Sequence, residues 1–184
     1  MNKFTLMQRI RNKIRVVKNT QIYLAENAKI VNCRISVKGE KNSLTISDGT
    51  RLYGVVIEII GSNCKIAIGK QCMIGDNSYL SAKENNISLI VEDNCGFSRN
   101  VKIMTSDGHP IFQEKKRINK AQNILIKKNV WIADNVTILK GVTIGEGSVI
   151  GINATVTKDI QGQSIAVGNP AKVVKKNIYW KDKF

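Results

Sequence analysis

The single histidine of the chain, His109, is the strongest candidate for acid–base chemistry. It lies in the segment 105–112, which reads TSDGHPIF. A neutral imidazole near pH 7 can take the proton of a hydroxyl group while that oxygen attacks a carbonyl carbon. The sequence offers no Gly-x-Ser-x-Gly elbow and no Cys–His pair that would form a covalent intermediate, so direct attack by the hydroxyl oxygen is the simpler model.

Three polar residues near His109 are candidates for supporting roles. Asp107 either orients the imidazole, contacts the acceptor molecule that carries the reacting hydroxyl group, or only forms a turn with Gly108. A carboxylate that accepts a hydrogen bond from the imidazole would fix its tautomer and stabilise the cation formed during attack. Arg117 and Asn119 follow in the segment KRIN, and they either bind an acidic acceptor or belong to a solvated basic loop.

A six-residue repeat surrounds this segment and indicates the scaffold that positions it. From residue 126 the chain reads IKKNVW, IADNVT, ILKGVT, IGEGSV, IGINAT, VTKDIQ. The aliphatic residues that open these hexads are Ile126, Ile132, Ile138, Ile144, Ile150 and Val156. Looser examples upstream are Ile46 and Leu52, then Ile68, Ile74 and Leu80, then Val91, Phe97 and Ile103. A fixed period of this kind predicts a repeat architecture.

The period of six decides the fold class. It matches neither an α-helix, with about 3.6 residues per turn, nor a strand that alternates every second residue. It fits a short strand followed by a turn, so that three hexads make one triangular coil with its aliphatic side chains inside. Asn, Asp and Gly residues between the strands suit turns with left-handed backbone angles. The sequence therefore predicts a mainly β protein, a parallel β-helix, rather than a β-sandwich.

Residues 104–123 break the repeat. They read MTSDGHPIFQEKKRINKAQN, which is polar, basic and long enough to leave the coil. A loop that projects from a rigid scaffold is a usual place for binding and catalytic residues. We therefore expect a projecting catalytic loop that carries His109.

Two longer motifs resemble a known family. The run VWIADNVTILKGVTIGEGSVIGINATVTKDI, followed by IAVGNPAKVVKK, resembles the C-terminal half of hexapeptide-repeat acyltransferases. That family includes maltose and galactoside acetyltransferases, xenobiotic acetyltransferases, and O-acetyltransferases of capsule and lipopolysaccharide synthesis. The resemblance covers about residues 66–176. It implies a left-handed parallel β-helix, a homotrimer, and an active site between neighbouring subunits.

The resemblance also implies an activity. Related enzymes carry their catalytic histidine in a similar His-Pro segment, so His109 is expected to be the base that helps move an acetyl group from acetyl-CoA to a sugar hydroxyl. The expected acceptor is a glycan: a surface polysaccharide, a lipopolysaccharide or a precursor. Trp131 stands where similar enzymes have a tryptophan that lines the donor and acceptor cleft. Packing at a subunit interface is the other interpretation of Trp131.

The acetyl-CoA site is expected along the C-terminal coils. Pantetheine is an extended amide chain that suits strand-edge backbone groups, and lysines can meet the CoA phosphates as point charges. Ala133 stands where the family usually has glycine, and a GNPAK segment closes the repeats as it does in the family. The predicted CoA-binding residues are Ala133, Gly151, Ala154, Thr157, Lys158, Pro170, Lys172 and Lys175.

The N-terminal segment, residues 1–20, has the pattern of a basic amphipathic helix. Its apolar residues recur at helical spacing, and they are Phe4, Met7, Ile10, Ile14 and Val17. Such a helix either caps the open end of the β-helix or also contacts an anionic membrane or a lipid-linked glycan. We therefore divide the chain into this cap, a β-helix over residues 21–174 with the excursion loop 104–123, and a C-terminal tail over residues 175–184.

Positive charge is concentrated in three segments. The net charge is +15, and segments 1–18, 113–128 and 172–184 account for all of it. Such a field favours anionic partners such as CoA phosphates, phosphorylated lipids or acidic glycans. Nucleic acid is not expected as a partner, because few aromatic residues are interleaved with the basic ones and no nucleic-acid-binding module is recognisable.

Composition excludes several classes of protein. The chain has 4 cysteines without a CxxC pair and 1 histidine, so no zinc site is expected, and a γ-type carbonic anhydrase, which needs three histidines, is excluded. The cysteines are expected to be buried free thiols. No apolar run of about eighteen residues predicts a membrane span, and no apolar segment follows the basic N-terminus as in a secretory signal. We therefore expect a cytoplasmic protein, with peripheral contact at the inner face of the membrane as the alternative that the N-terminal helix leaves open.

Other functions are compatible with the same repeat. Nucleotide-amino-sugar N-acetyltransferases and xenobiotic acetyltransferases also use hexads, although TSDGHPIF and VWIA look more like O-acetyltransferases. A β-helix scaffold is the non-enzyme alternative. A scaffold, however, has no reason to keep a histidine in a projecting loop together with a tail that resembles a CoA-binding segment.

Overall fold

A computed structural model describes residues 4–181 and shows a prism of three parallel β-sheets. The chain winds in about 7 left-handed turns, and nearly every turn contributes one strand to each sheet. The predicted left-handed β-helix is therefore confirmed. A helix of 6 residues, α1 (Leu6–Arg11), precedes the first turn. Residues 1–3 of the predicted cap and 182–184 of the predicted tail lie outside the described residues.

Twelve strands form the first four turns. In chain order they are β1 (Lys13–Val16), β2 (Gln21–Leu24), β3 (Lys29–Val31), β4 (Arg34–Glu40), β5 (Ser43–Ile46), β6 (Arg51–Tyr53), β7 (Val56–Ser62), β8 (Lys65–Ile68), β9 (Met73–Ile74), β10 (Tyr79–Asn85), β11 (Ser88–Val91) and β12 (Gly96–Phe97). The remaining strands are β13 (Lys102–Met104), β14 (Phe112–Gln113), β15 (Lys116–Arg117), β16 (Ile124–Ile126), β17 (Trp131–Ile132), β18 (Thr137–Ile138), β19 (Thr143–Ile144), β20 (Val149–Ile150), β21 (Thr155–Val156), β22 (Ser164–Val167) and β23 (Lys172–Lys176).

The three sheets form the faces of the prism, and we name them A, B and C. Sheet A contains β1, β4, β7, β10, β13, β18 and β21 in that order, and sheet B contains β2, β5, β8, β11, β16 and β19. Sheet C contains β3, β6, β9, β12, β17, β20 and β22, and the antiparallel strand β23 closes its far end. The neighbours of a residue in space are therefore its counterparts one turn earlier and one turn later.

The aliphatic residues of the hexads form the core of the prism. All six residues that open the C-terminal hexads are fully buried. Ile126 stacks on Ile144, and Ile132 stacks on Ile150, each in a parallel ladder. Burial of each such side chain contributes about 1.5–3 kcal/mol of transfer free energy, and neighbouring turns share it. The four cysteines are buried free thiols in the same core, as the composition predicts.

Longer strands explain why the hexad frame slips in the upstream half. Strands β4, β7 and β10 have 7 residues each, whereas β18 and β19 have 2. The extra residues turn with positive φ at the same point of successive coils, at Gly39 (97°), Gly61 (138°) and Glu84 (82°). A Cβ on Gly61 would lie 1.6 Å from the carbonyl oxygen of Glu84, so only glycine fits there. A side chain fits at Glu84 because β13 pairs only with Tyr79 to Ser81 of β10, so within residues 4–181 the following turn places no strand against Glu84.

The N-terminal helix is shorter than the sequence predicts, which corrects the boundary between cap and β-helix. The helix ends at Arg11, and from Lys13 onward the chain already forms β1, paired with β4. Ile14, expected on the helical stripe, lies opposite Ile35 in sheet A and packs against the core. Parallel pairing with a full strand outweighs the helical spacing of these few apolar residues, because so short a helix has little stability of its own.

Helix α1 leaves most of its apolar side chains exposed. Phe4, just before the helix, is buried, whereas Leu6, Met7 and Ile10 are exposed to solvent. The interpretation of this segment as a membrane-contacting helix stays a prediction. Within residues 4–181, no helix has both the length and the apolar character that crossing a bilayer requires.

The C-terminal segment folds back along the outside of the prism. After β23, the N–H of Ile178 donates to the carbonyl of Gln163 at 3.0 Å. Trp180 Nε1 donates to the carbonyl of Asn129, two turns nearer the N-terminal end, at 2.6 Å. The tail therefore runs from the last turn back toward the middle of the prism, beside sheet C.

Candidate active site

The excursion predicted at residues 104–123 projects from the corner between sheets A and B. It leaves the prism after β13 and returns at β16, and its outer part is an antiparallel hairpin of β14 and β15. Glu114 and Lys115 have φ values of 47° and 65°, which form the tight turn of this hairpin. At the base, the N–H of Gln122 donates to the carbonyl of Thr105 at 3.0 Å and closes the loop. His109 lies on the outgoing arm, and its side chain is exposed.

A buried asparagine holds the backbone around His109. Asn119 is 7% exposed, and its Nδ2 donates to the carbonyl of His109 at 2.8 Å. Its Oδ1 accepts from the N–H of Ile111 at 2.7 Å. The two bonds bracket Pro110, which has no N–H to donate. One side-chain amide thus fixes the backbone on both sides of the His-Pro pair, from which the imidazole projects.

The carboxylate of Asp107 bonds to Asn119 and to Lys140. Its Oδ2 accepts from Asn119 Nδ2 at 2.9 Å and forms a close ion pair with Lys140 Nζ. Lys140 lies at the same corner one turn later, so this pair ties the loop to the prism. Within residues 4–181, the hydrogen-bond partners of this carboxylate do not include the imidazole of His109. Asp107 therefore supports the framework of the loop, while a role in orienting the imidazole stays a prediction.

A second ion pair anchors the hairpin. Arg117 Nη2 lies 2.5 Å from Oε1 of Glu84, and Ser106 Oγ donates to the same oxygen at 2.9 Å. Arg117 Nη2 also lies 3.4 Å from the carbonyl oxygen of Asn119. Glu84 belongs to β10 and is the last of the three stacked positions with positive φ, after Gly39 and Gly61. The side chain that replaces glycine at this position is therefore the one that anchors the loop.

These contacts lower the pKa of both carboxyl groups. The hydrogen bond from Lys140 is the main cause for Asp107, and a hydrogen bond from Asn119 adds to it against the opposing effect of partial burial. Partial burial raises the pKa of Glu84, but the hydrogen bonds from Arg117 and Ser106 outweigh it and the net pKa is lowered. Both carboxylates are thus easier to ionise in the folded loop than in the unfolded chain.

We expect the loop to lose this stabilisation in acid. A carboxyl group whose pKa is depressed on folding stabilises the protein above its unfolded pKa, about 3.9–4.3 here, and the contribution disappears as the pH falls through the folded value. Glu84→Gln should therefore have a lower Tm than the wild type near pH 7, and the two Tm values should converge toward pH 3. Glu40→Gln, at an exposed position, is the matched control. A difference between wild type and Glu84→Gln that persists unchanged at low pH would contradict the expectation.

Trp131 lies on a different face of the prism from His109. It points outward from β17 in sheet C, is 41% exposed, and has Gly96 and Val149 as neighbours on the adjacent strands. Its Nε1 lies 3.5 Å from Ser98 Oγ. The loop with His109 leaves at the corner between sheets A and B, which is opposite sheet C in a triangular prism. One chain alone therefore does not bring these two predicted site residues together.

The predicted CoA-binding residues are divided among several places. Ala133, Gly151 and Pro170 lie at the corner between sheets C and A, Thr157 and Lys158 lie at the corner between sheets A and B, and Lys172 and Lys175 lie on β23. Ala154 is buried in the core, so its side chain is not accessible. The N–H groups of Ala133 and Gly151 donate to carbonyls of the next turn at 2.9 Å each, so they are already bonded within sheet C.

Three residues beside the predicted site were missed by sequence reasoning. Glu84 and Lys140 lie outside the excursion in sequence, and only the stacking of turns brings them to it. Trp180, in the tail, packs beside Trp131 with ring centroids 6.1 Å apart. One signal was available for Glu84, because it occupies the position at which the two preceding turns have glycine.

The fold and the loop define a class of protein, the transferases built on a hexapeptide-repeat β-helix. The family model described as "Bacterial transferase hexapeptide (six repeats)" matches residues 123–158. The crystal structure of the polySia-specific acetyltransferase NeuO superposes with a TM-score of 0.74 and 30% identity, over 94% of this chain and 79% of that one. This chain belongs to the family of hexapeptide-repeat acetyltransferases.

Further relatives agree with this membership. The polysialic acid O-acetyltransferase of Escherichia coli O1:K1 / APEC is 37% identical over 161 residues, which are 86% of this chain and 44% of that protein. The polysialic acid O-acetyltransferase of Neisseria meningitidis is 33% identical over 110 residues, which are 59% of this chain and 50% of that protein. The chain thus spans half or less of the length of each of these two curated relatives. AntD, an N-acyltransferase from Bacillus cereus solved with dTDP and 3-hydroxybutyryl-CoA, shares only the fold, with a TM-score of 0.57 and 18% identity over 96% of this chain and 90% of that one.

Proposed function

We propose that this protein is an acetyl-CoA-dependent O-acetyltransferase that acts on a sugar hydroxyl of an acidic surface polysaccharide. The observation that carries the proposal is the exposed imidazole of His109, on a backbone segment that Asn119 brackets at 2.8 and 2.7 Å. Membership of the acetyltransferase family supports acetyl transfer. Two relatives are polysialic acid O-acetyltransferases, so a capsular polysaccharide is the first acceptor to test.

In the proposed mechanism His109 is the general base. The imidazole takes the proton of the acceptor hydroxyl while that oxygen attacks the thioester carbonyl carbon of acetyl-CoA. A C–O bond forms and the carbonyl oxygen becomes an oxyanion, which needs a hydrogen-bond donor such as a backbone N–H of the facing coil. The C–S bond then breaks, and the imidazolium returns the proton to the CoA sulfur. His109 thus ends in its starting state without an acyl-enzyme.

The complete site requires a second subunit, and we propose a homotrimer with sites between neighbours. His109 and Trp131 lie on opposite sides of one prism, so a cleft that contains both needs the loop of one subunit and sheet C of another. The loop supports this arrangement, because Ile111, Phe112 and Ile118 are 52%, 60% and 57% exposed. Apolar side chains grouped in this way mark an interaction surface, and a neighbouring subunit would cover them.

We propose that acetyl-CoA lies along the C-terminal turns, and that Trp131 lies where acetyl-CoA and the acceptor sugar meet. Lys158, Lys172 and Lys175 are exposed and can contact CoA phosphates. Since the N–H groups of Ala133 and Gly151 are bonded within the sheet, we propose that pantetheine uses carbonyl groups at this corner and groups of the neighbouring subunit.

We propose a positioning role for Asn119 in place of acceptor contact, because the amide is buried and both its ends are used. Asn119→Ala should lower kcat by about 100-fold, since a displacement of the base by about 1 Å is enough for such a loss. The KM for acetyl-CoA should stay the same, which separates misplaced chemistry from lost donor binding. Steady-state kinetics of CoA release measure both constants. Lys120→Ala, at an exposed neighbouring position on the loop, is the control. A higher KM for acetyl-CoA with an unchanged kcat in Asn119→Ala would contradict this role.

The acceptor class is tested by comparing substrates and products. Purified protein and acetyl-CoA are incubated with polysialic acid, a neutral polysaccharide, a xenobiotic amine or alcohol, and UDP- and dTDP-amino sugars, and CoA thiol release is followed. An ester product loses its acetyl group in mild base, whereas an amide keeps it. We expect base-labile acetylation of the acidic polysaccharide. Turnover confined to amino sugars, with a base-stable product, would overturn the proposal.

A further inference from the structure

Sheet C carries a cavity whose lining combines an aromatic side chain with a guanidinium and two amide side chains. Its volume is about 290 Å³, and it lies on the N-terminal side of Trp131, away from the predicted donor residues. The side chains and backbone that matter most are those of Arg51, Gln71, Met73, Asn94, Gly96 and Trp180. None of the residues that line the cavity is acidic.

Trp180 provides the aromatic wall of the cavity. Its Nε1 donates to the carbonyl of Asn129 at 2.6 Å, and its ring centroid lies 6.1 Å from that of Trp131. The six-membered ring lies over Gly96, where a Cβ would be only 3.7 Å from it. The indole is thus held in place but remains partly exposed, and it offers a flat apolar surface against which a sugar ring can pack.

Arg51 provides the charge. It is exposed on β6, and none of the five ion pairs found within residues 4–181 includes it. A guanidinium matches the two oxygens of a carboxylate with parallel hydrogen bonds. The amide side chains of Gln71 and Asn94 can donate to and accept from hydroxyl groups. Aromatic surface, guanidinium and amides together suit an acidic sugar better than a neutral sugar or a purely apolar ligand.

These residues lie in line with the predicted acceptor cleft. Arg51 faces Met73, Met73 faces Gly96, and Gly96 faces Trp131 on four neighbouring strands of sheet C. Neighbouring strands are about 4.8 Å apart, so the strand of Arg51 lies about 14 Å from that of Trp131. A single sugar does not span that distance, but a short oligosaccharide does. Gly151, among the predicted donor residues, lies beyond Trp131 in the opposite direction.

We propose that this cavity is an acceptor subsite for a sugar other than the one that is acetylated. The carboxylate of that sugar binds Arg51, and its ring packs against Trp180. This inference rests on the proposed function, because it assumes an acidic polymer whose reacting residue lies near Trp131. Its consequence is a dependence on chain length: oligomers long enough to reach Arg51 bind more tightly than shorter ones.

Binding to the full-length protein tests the subsite without requiring turnover. Sialic acid oligomers of graded length are titrated by calorimetry into the His109→Ala protein, with neutral dextran oligomers as the comparison. We expect affinity to rise with length only for the sialic acid oligomers. Adding Arg51→Gln or Trp180→Ala should weaken binding of the longest oligomer by about tenfold, and the rise with length should disappear.

Matched controls come from sheet B. Lys65→Gln removes an exposed charge and Tyr23→Ala an exposed aromatic there, and both should keep the wild-type length dependence. Size-exclusion chromatography checks that Arg51→Gln and Trp180→Ala keep the wild-type assembly. Unchanged affinity for the longest oligomer, equal weakening for dextran, or an altered assembly would each overturn the subsite. If acidic glycans bind with this length dependence but never receive acetyl groups, the subsite stands and the proposed O-acetylation fails.

Discussion

Replacing His109 with alanine should lower kcat for acetyl transfer by about 10²–10⁴-fold, because the acceptor hydroxyl loses the group that takes its proton. The fold should persist, since the side chain is exposed and the contacts that hold the loop come from Asn119 and Asp107. CoA thiol release with a polysaccharide acceptor measures the loss, and thermal denaturation checks the fold. Lys120→Ala, on the same loop, should keep wild-type activity.

Unchanged acetyl transfer by His109→Ala would overturn the assignment of the base. A second experiment, on mixtures of two variants, tests whether the complete active site lies between subunits. If the site combines His109 of one subunit with Trp131 of its neighbour, His109→Ala and Trp131→Ala proteins should each be weakly active alone. Mixed trimers formed by refolding them together should regain activity, because some of their sites contain both wild-type residues. Mixtures as inactive as the separate variants would contradict a site between subunits.

Gly61→Ala should strongly destabilise the prism, with a loss of about 3–5 kcal/mol in the free energy of unfolding, the upper range for one residue. Two causes act together. Gly61 has a φ of 138°, which residues with a side chain rarely adopt, and the added Cβ would lie 1.6 Å from the carbonyl oxygen of Glu84. That oxygen belongs to the backbone of β10, so two turns must separate to make room. Chemical denaturation measures the loss.

Gly147→Ala is the matched control for Gly61→Ala. Gly147 also has positive φ, 68°, but a Cβ there would meet only a side-chain atom of Gln163 at 3.7 Å. It should therefore show the backbone cost alone, about 1–2 kcal/mol. Equal losses for the two variants would mean that the close approach of the turns at Gly61 contributes nothing. Because Glu84 also anchors the loop through Arg117, Gly61→Ala should lower activity as well as stability.

The hexads made the fold predictable because their period leaves few alternatives. Aliphatic residues at every sixth position can all be buried at once only if each hexad forms one side of a triangular coil. The N-terminal helix was predicted too long because its pattern is local and does not show what the segment pairs with in the fold. The spacing of Met7, Ile10 and Ile14 is local, whereas the pairing of β1 with β4 depends on a strand one turn later.

The site was predictable only in part. His109, Asp107 and Asn119 are close in sequence and stand out in a segment that breaks the repeat. Nothing in that segment showed that Asn119 is buried and bonded at both ends, since burial in a loop depends on what the loop folds against. Its contacts, through Asp107 to Lys140 and through Arg117 to Glu84, cross from one turn to another.

The sequence by itself thus determined the coil, the direction of the aliphatic side chains and the place where the chain leaves the prism. These properties depend on residues at most a few positions apart and on a repeat that averages over local exceptions. Only the tertiary structure decided which groups anchor the loop, that Trp131 faces away from His109, and that Trp180 folds back beside it. Those contacts join residues separated by one or more whole turns, and no local spacing specifies which side chains of two stacked turns will meet.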